Sequence, residues 1–128
     1  MDEKDQEVPE RVRWEGDSRE QMHKWPKPPK ANIGGDLTRL QKGEEPLDFD
    51  HLGDGIYELR DQQQNVWYRL LYWLNSGWVY VLHCFKKKTN QTPQAAIDKA
   101  KTRKRAVLDR KDEPFVAPIP DEQEEESA

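Results

Sequence analysis

Two stretches decide the fold: Val66-Trp67-Tyr68-Arg69-Leu70-Leu71-Tyr72-Trp73-Leu74 and Trp78-Val79-Tyr80-Val81-Leu82-His83-Cys84-Phe85-Lys86, with only Asn75-Ser76-Gly77 between them. The first is dense in aromatic and apolar residues and the second has strong β propensity, so both suit the pleated, packed surface of a strand. A polar linker of three residues suits a hairpin and is too short for a crossover, so the two strands are antiparallel. Upstream, Ile56 to Arg60 alternates apolar and polar residues, and the short polar linker Asp61 to Asn65 adds this third strand to the meander. The sheet's continuous hydrophobicity implies that helices cover one face.

Working outward, Val12 and Trp14 mark a short first strand ended by Gly16 and Asp17, after which Ser18 is placed to cap a brief helix through Trp25. Pro26, Pro28 and Pro29 are expected to stop that helix. From about Lys30 to Lys42, Ile33, Leu37 and Leu40 fall on one helical face, and Gly43 is a suitable terminator. Gly34 and Gly35 each cost about 1 kcal/mol in a helix interior, so this helix either depends on packing or admits a close backbone. After the sheet, Thr92-Pro93 reads as an N-cap and first helical residue, and Ile97, Ala100, Lys104 and Val107 form one stripe of a helix to about Arg110. The order of elements predicts an α+β domain: a small, mainly antiparallel twisted sheet of about four strands, with two N-terminal helices and one C-terminal helix.

The chain has 128 residues, 34% hydrophobic and 36% charged, a length suited to one domain. Five Trp, four Tyr and three Phe are too many for a wholly disordered chain, so the polar excess is concentrated somewhere. Residues 1–10 read as an acidic tail, 11–112 as the domain, and 113–128, with Pro114, Pro118 and Pro120 before an acidic run, as a disordered tail. Arg69, Asn75, Ser76, Gly77 and His83 interrupt the most hydrophobic stretch, which cannot be a bilayer span of roughly 20 apolar residues. An acidic N-terminus without an apolar core is unlike a signal peptide, and the single Cys84 has no disulfide partner. A cytoplasmic protein is expected.

The formal net charge of −4 divides unevenly along the chain. Asp2, Glu3, Asp5, Glu7 and Glu10 at one end, and Asp121, Glu122, Glu124, Glu125 and Glu126 at the other, flank a body with 20 Lys and Arg against 15 Asp and Glu. Lys86 to Lys111 alone holds ten Lys or Arg against Asp98 and Asp109. Such a surplus suits a polyanion, because each cation near a phosphate releases condensed counterions, although charge runs are also simply solvated helix faces. The acidic C-terminal tail reads as a solubilising segment or as a competitor for the basic face.

Of the histidines His23, His51 and His83, none has zinc-ligand spacing; there is no cysteine pair and no glycine-rich phosphate loop, so no metal or other cofactor is expected. What remains is basic. Arg69 stands mid-strand, where an unpaired guanidinium is costly, and the structural alternative to a functional role is an ion pair, for example with Glu58. Alternation puts Lys87 on the face of His83 and Phe85, and Lys86 on the face of Cys84 and Leu82. His83 reads either as a satisfied strand histidine or as a proton carrier.

These residues carry a resemblance. Gly55-Ile56-Tyr57-Glu58-Leu59-Arg60, Trp67-Tyr68-Arg69-Leu70-Leu71-Tyr72, Val81-Leu82-His83-Cys84-Phe85-Lys86-Lys87-Lys88-Thr89 and Gln91-Thr92-Pro93 resemble the phage-derived RelE/HigB-like toxins of the RelE/ParE superfamily. So do Ile33-Gly34-Gly35-Asp36-Leu37 and Leu40-Gln41-Lys42-Gly43-Glu44-Glu45-Pro46-Leu47-Asp48, the family's second helix and following loop; the likeness spans about residues 26–107. It implies a RelE-like fold and the toxin of a type II toxin-antitoxin pair, a metal-independent endoribonuclease that cuts mRNA, often on the ribosome. The implied partner is a cognate antitoxin, of helix-turn-helix type. The motif arginines fall on Arg60 and Arg69, and the Phe-x-Lys-Lys-Thr motif on Phe85, Lys87, Lys88 and Thr89. Where relatives commonly carry a lysine, this chain has Asp50.

The implied reaction is attack of a ribose 2′-OH on the adjacent phosphate. Catalysis is expected from Arg69, Arg60, Lys87 and His83, and RNA contacts from Lys86, Lys88, Lys99, Arg103 and Tyr72. Two other readings compete: a phage-related protein that binds nucleic acid without cutting it, and a toxin of the same fold directed at a non-RNA target such as DNA gyrase.

Overall fold

A computed structural model describes residues 11–110. The expected tails at 1–10 and 113–128 lie outside them. The described residues form β1 (Val12–Trp14), α1 (Ser18–His23), α2 (Lys27–Gln41), β2 (Phe49–Gly53), β3 (Ile56–Gln63), β4 (Val66–Asn75), β5 (Trp78–Lys87) and α3 (Gln94–Asp109). One sheet has the order β1-β5-β4-β3-β2, with β1 parallel to β5 and every other pair antiparallel. The α+β class and the mainly antiparallel sheet are as expected.

The sheet has five strands where about four were expected. The additional one is β2, inside what reads as a loop. Asp50 and His51 are exposed, and the strand forms as an edge, through its ladder to β3 across a turn with Asp54 and Gly55 at φ 58° and 76°. Both central residues at positive φ mark the turn sense that suits the twist of a two-residue hairpin.

Helices cover both faces, not one. Along β4, Tyr68, Leu70 and Tyr72 pack with Met22, Trp25, Ile33 and Leu37 from the α1–α2 side, whereas Leu71 and Trp73 pack with Ala100 of α3. Alternate residues of one strand are thus committed to two cores, which is why its apolar run is continuous. Each fully buried Leu or Ile contributes about 1.5–3 kcal/mol through burial.

A bulge corrects the expected alternation in β5. The register pairs Leu71 with His83 and Tyr72 with Val81, leaving Leu82 as the extra residue. Leu82 therefore packs on the α3 side while Cys84 packs with α1 and α2. The bulge keeps His83 and Phe85 in step with Leu71 and Arg69 of β4.

Helix ends also differ from expectation. Asp17 precedes α1, and the Ser18 hydroxyl donates to the Val81 carbonyl at 3.2 Å rather than capping. Pro28 and Pro29 occupy the first turn of α2, where a missing N–H breaks no helical bond, so they start this helix. Its end is as expected: Gly43, at φ 81°, and Glu44 donate to Leu40 and Arg39 carbonyls at 3.0 and 2.8 Å, closing a Schellman motif. No backbone approaches Gly35, whose Cβ position has nothing within 4 Å. Among the described residues no helix is long and apolar enough to cross a membrane.

Candidate nucleic-acid interface

Strand register aligns the site's residues in rows. Glu58, Leu71 and His83 lie side by side across β3, β4 and β5, Arg60, Arg69 and Phe85 form the next row, and Gln62, Trp67 and Lys87 the one beyond. Leu71 and Phe85 place these rows on the α3 face of the sheet. Beyond Lys87 the chain turns through residues 88–93 into α3, so this segment lies at the same end as Trp67 and Lys87.

Arg69 is 1% exposed. Its Nη1 and Nη2 donate to the carbonyls of Thr89 and Asn90 at 3.2 and 2.7 Å. Nε lies 2.8 Å from Glu58 Oε2, a charge contact without hydrogen-bond alignment. The Thr92 hydroxyl donates to that same Glu58 oxygen at 2.5 Å. The guanidinium also lies 5.1 Å from the centre of the Trp67 ring. The structural alternative raised for Arg69, pairing with Glu58, is thus realised, with the loop after β5 drawn into the cluster.

His83 is 9% exposed and stacks on Phe85, with ring centres 4.9 Å apart and an interplanar angle of 20°. Burial, with repulsion from Lys99 and Arg103 added and Asp17 opposing, pushes its pKa down to about 4. The ring is therefore neutral at pH 7, and its Nδ1 is buried without a hydrogen-bond partner. Arg103 reaches across from α3, donating through Nη1 to the Leu82 carbonyl at 3.0 Å and through Nη2 to Asp17 Oδ1 at 3.1 Å. Burial opposes ionisation of Asp17, but the Arg103 hydrogen bond and charge outweigh it and hold the carboxyl below its usual value.

Arg60 is half-buried and faces two acids, with Nε 3.2 Å from Asp48 Oδ1 and Nη1 3.4 Å from Asp50 Oδ2. Asp50, at the position where a lysine was expected of relatives, therefore neutralises one of the two motif arginines. Lys86, Lys87, Lys88 and Lys99 are exposed. Lys87 pairs with Trp67, whereas Lys86 pairs with Tyr68, a residue of the opposite core.

The structure brings Arg60, Arg69, His83 and Lys87 onto one face, with Lys99 and Arg103 near His83. It does not bring Tyr72 there. Tyr72 is buried on the α1–α2 side, stacked 5.6 Å from Tyr57, and lines a hollow of about 370 Å³ with Leu40, Phe49 and Leu74. Burial raises its hydroxyl pKa well above the ordinary value. Sequence reasoning missed Asp17, Trp67 and the role of Thr92, because Thr92 reads locally as a helix cap while its hydroxyl serves a residue 34 positions away. Among the described residues no three His, Cys, Asp or Glu side chains gather to hold a metal ion.

A small α+β domain whose mainly antiparallel sheet carries Arg60, Arg69, His83 and Lys87 on its α3 face is the class that fold and site define. A family model, phage derived protein Gp49-like (DUF891), matches residues 20–105, and the chain belongs to that family. The Gp49-like proteins are a RelE-like toxin family. The match runs from α1 into α3 and so includes β2 to β5, which carry the site. Comparison with curated proteins found no match.

Proposed function

We propose that this protein is the toxin of a type II toxin-antitoxin pair, of the RelE/HigB kind, and cleaves mRNA on the translating ribosome in the cytoplasm without a metal or other cofactor. The observation that carries the reading is the succession, on one face of the sheet, of neutral His83, Phe85 and the Trp67–Lys87 pair, with Lys87 exposed and exposed Lys88 next along the chain. Cations there bind phosphate, and aromatic faces there stack on bases of a single strand.

In the proposed step the ribose 2′-oxygen bonds to phosphorus as the bond from phosphorus to the 5′-oxygen breaks. The products carry a 2′,3′-cyclic phosphate and a 5′-hydroxyl. Lys87 and Lys88 hold the phosphate and balance the charge that grows on its oxygens. His83, held neutral, accepts the 2′-proton, and the leaving 5′-oxygen takes a proton from a lysine ammonium. Arg60 adds its charge when Asp48 and Asp50 yield it, Lys99 and Arg103 extend the basic surface onto α3, and Lys86 adds a cation at the end of β5. A cognate antitoxin of helix-turn-helix type silences the protein.

One observation favours a second reading, nucleic-acid binding without cleavage: both motif arginines are already engaged, Arg60 by two aspartates and Arg69 by Glu58 and the loop carbonyls. Controlled induction separates the two. Cleavage predicts slowed growth and new mRNA 5′ ends, both lost in a Lys87→Ala/Lys88→Ala variant that melts like the wild type. Binding alone predicts no new ends.

A further inference from the structure

The segment Lys88 to Gln91 is exposed throughout and contributes no side chain to either core. Even so, the successive carbonyls of Thr89 and Asn90 both turn inward onto Arg69. A third tie comes from Thr92, whose hydroxyl shares Glu58 Oε2 with Arg69 Nε. Two strands and the end of the β5–α3 connection therefore meet at one buried carboxylate oxygen.

Resting on the ribonuclease reading above, we propose that Glu58, Arg69 and Thr92 form a clamp that fixes the loop carrying Lys88, and with it the Lys87 end of β5. Arg69 is then a positioning residue, which holds backbone rather than phosphate. The guanidinium suits this task because its planar fork presents several donors at once: two nitrogens serve successive carbonyls while the third faces the carboxylate. A lysine ammonium at the same place is a single point and cannot span both. An exposed loop without apolar anchors owes its order to such polar ties, and freeing it lets the segment open locally while the sheet stays intact. A catalytic cation displaced by about 1 Å can cost on the order of 100-fold in rate.

The test uses the full chain with Thr92→Val, which removes the hydroxyl and keeps the shape, Thr92→Ser, which restores it, and Arg69→Lys. The reporter is hydrogen exchange at the Gln91 amide, which donates to Thr89 Oγ1 at 3.2 Å within the clamped loop. Thr92→Val is expected to speed this exchange about tenfold, the equivalent of one lost hydrogen bond to a charged group. Thr92→Ser should match the wild type, and melting should stay cooperative in all. In RNA cleavage, kcat should fall in Thr92→Val with KM within about twofold, and return in Thr92→Ser. Unchanged exchange in Thr92→Val overturns the clamp, and faster exchange with unchanged kcat overturns the positioning role. If Arg69→Lys fails to fold, the Thr92 pair still decides. Wild-type protein that leaves RNA uncut overturns the ribonuclease reading, and the exchange comparison then decides the clamp on its own.

Discussion

Arg69 Nε stands 2.8 Å from Glu58 Oε2, and each residue is 1% exposed, so neither charge has water to replace the other. Removing one partner leaves a buried, uncompensated ion. Arg69→Ala or Glu58→Ala is expected to cost about 3–5 kcal/mol, and replacing both with apolar residues of similar volume, Glu58→Leu with Arg69→Met, to recover most of it. Urea unfolding of the single and double variants checks this. A double variant no more stable than the singles would contradict the account of the pair.

Arg60 presents the opposite case, because its aspartate partners are more than half exposed. Exposed pairs of this kind contribute little stability, so Asp50→Asn should change unfolding free energy by less than about 1 kcal/mol. It should instead free Arg60 for phosphate, tightening binding to single-stranded RNA and steepening its salt dependence by about one charge. Titrations at two salt concentrations measure both effects.

The neutral state of His83 has a consequence for pH. Its folded pKa of about 4 lies below the value near 6.5 of an unfolded histidine, so between these values the unfolded chain binds more protons. This contribution to stability is fully present above about pH 6.5 and is lost as pH falls towards 4. His83→Gln should flatten the stability profile in that window. An unchanged profile would show that His83 is not held neutral.

Gly35 sits inside α2, exposed, with nothing within 4 Å of its Cβ position. Gly35→Ala should raise stability by about 0.5–1 kcal/mol, read as a higher melting temperature, because only backbone entropy changes.

The meander β3–β4–β5 was legible because its residues are strand formers and its linkers are too short for anything else. Glu58 and Arg69 were legible as a pair because they are diagonal neighbours in that meander. β2 was not, since Asp50 and His51 carry no strand signal and the segment is held by its ladder to β3. Nor was the bulge at Leu82, which depends on how β5 must pack between two cores. Thr92 was misread because a threonine before a proline matches a local cap, whereas its partner comes from a distant strand. Tyr72 was assigned to RNA because sequence shows aromatic character but not which of two buried faces receives it.

The central claim is cleavage of mRNA at the Lys87–Lys88 end of the sheet. The most direct measurement is end chemistry of a labelled message in a reconstituted translation reaction with the purified protein. The account predicts fragments with 5′-hydroxyl and 2′,3′-cyclic phosphate ends, absent with the Lys87→Ala/Lys88→Ala variant. An intact message, or fragments produced equally by that variant, would contradict it.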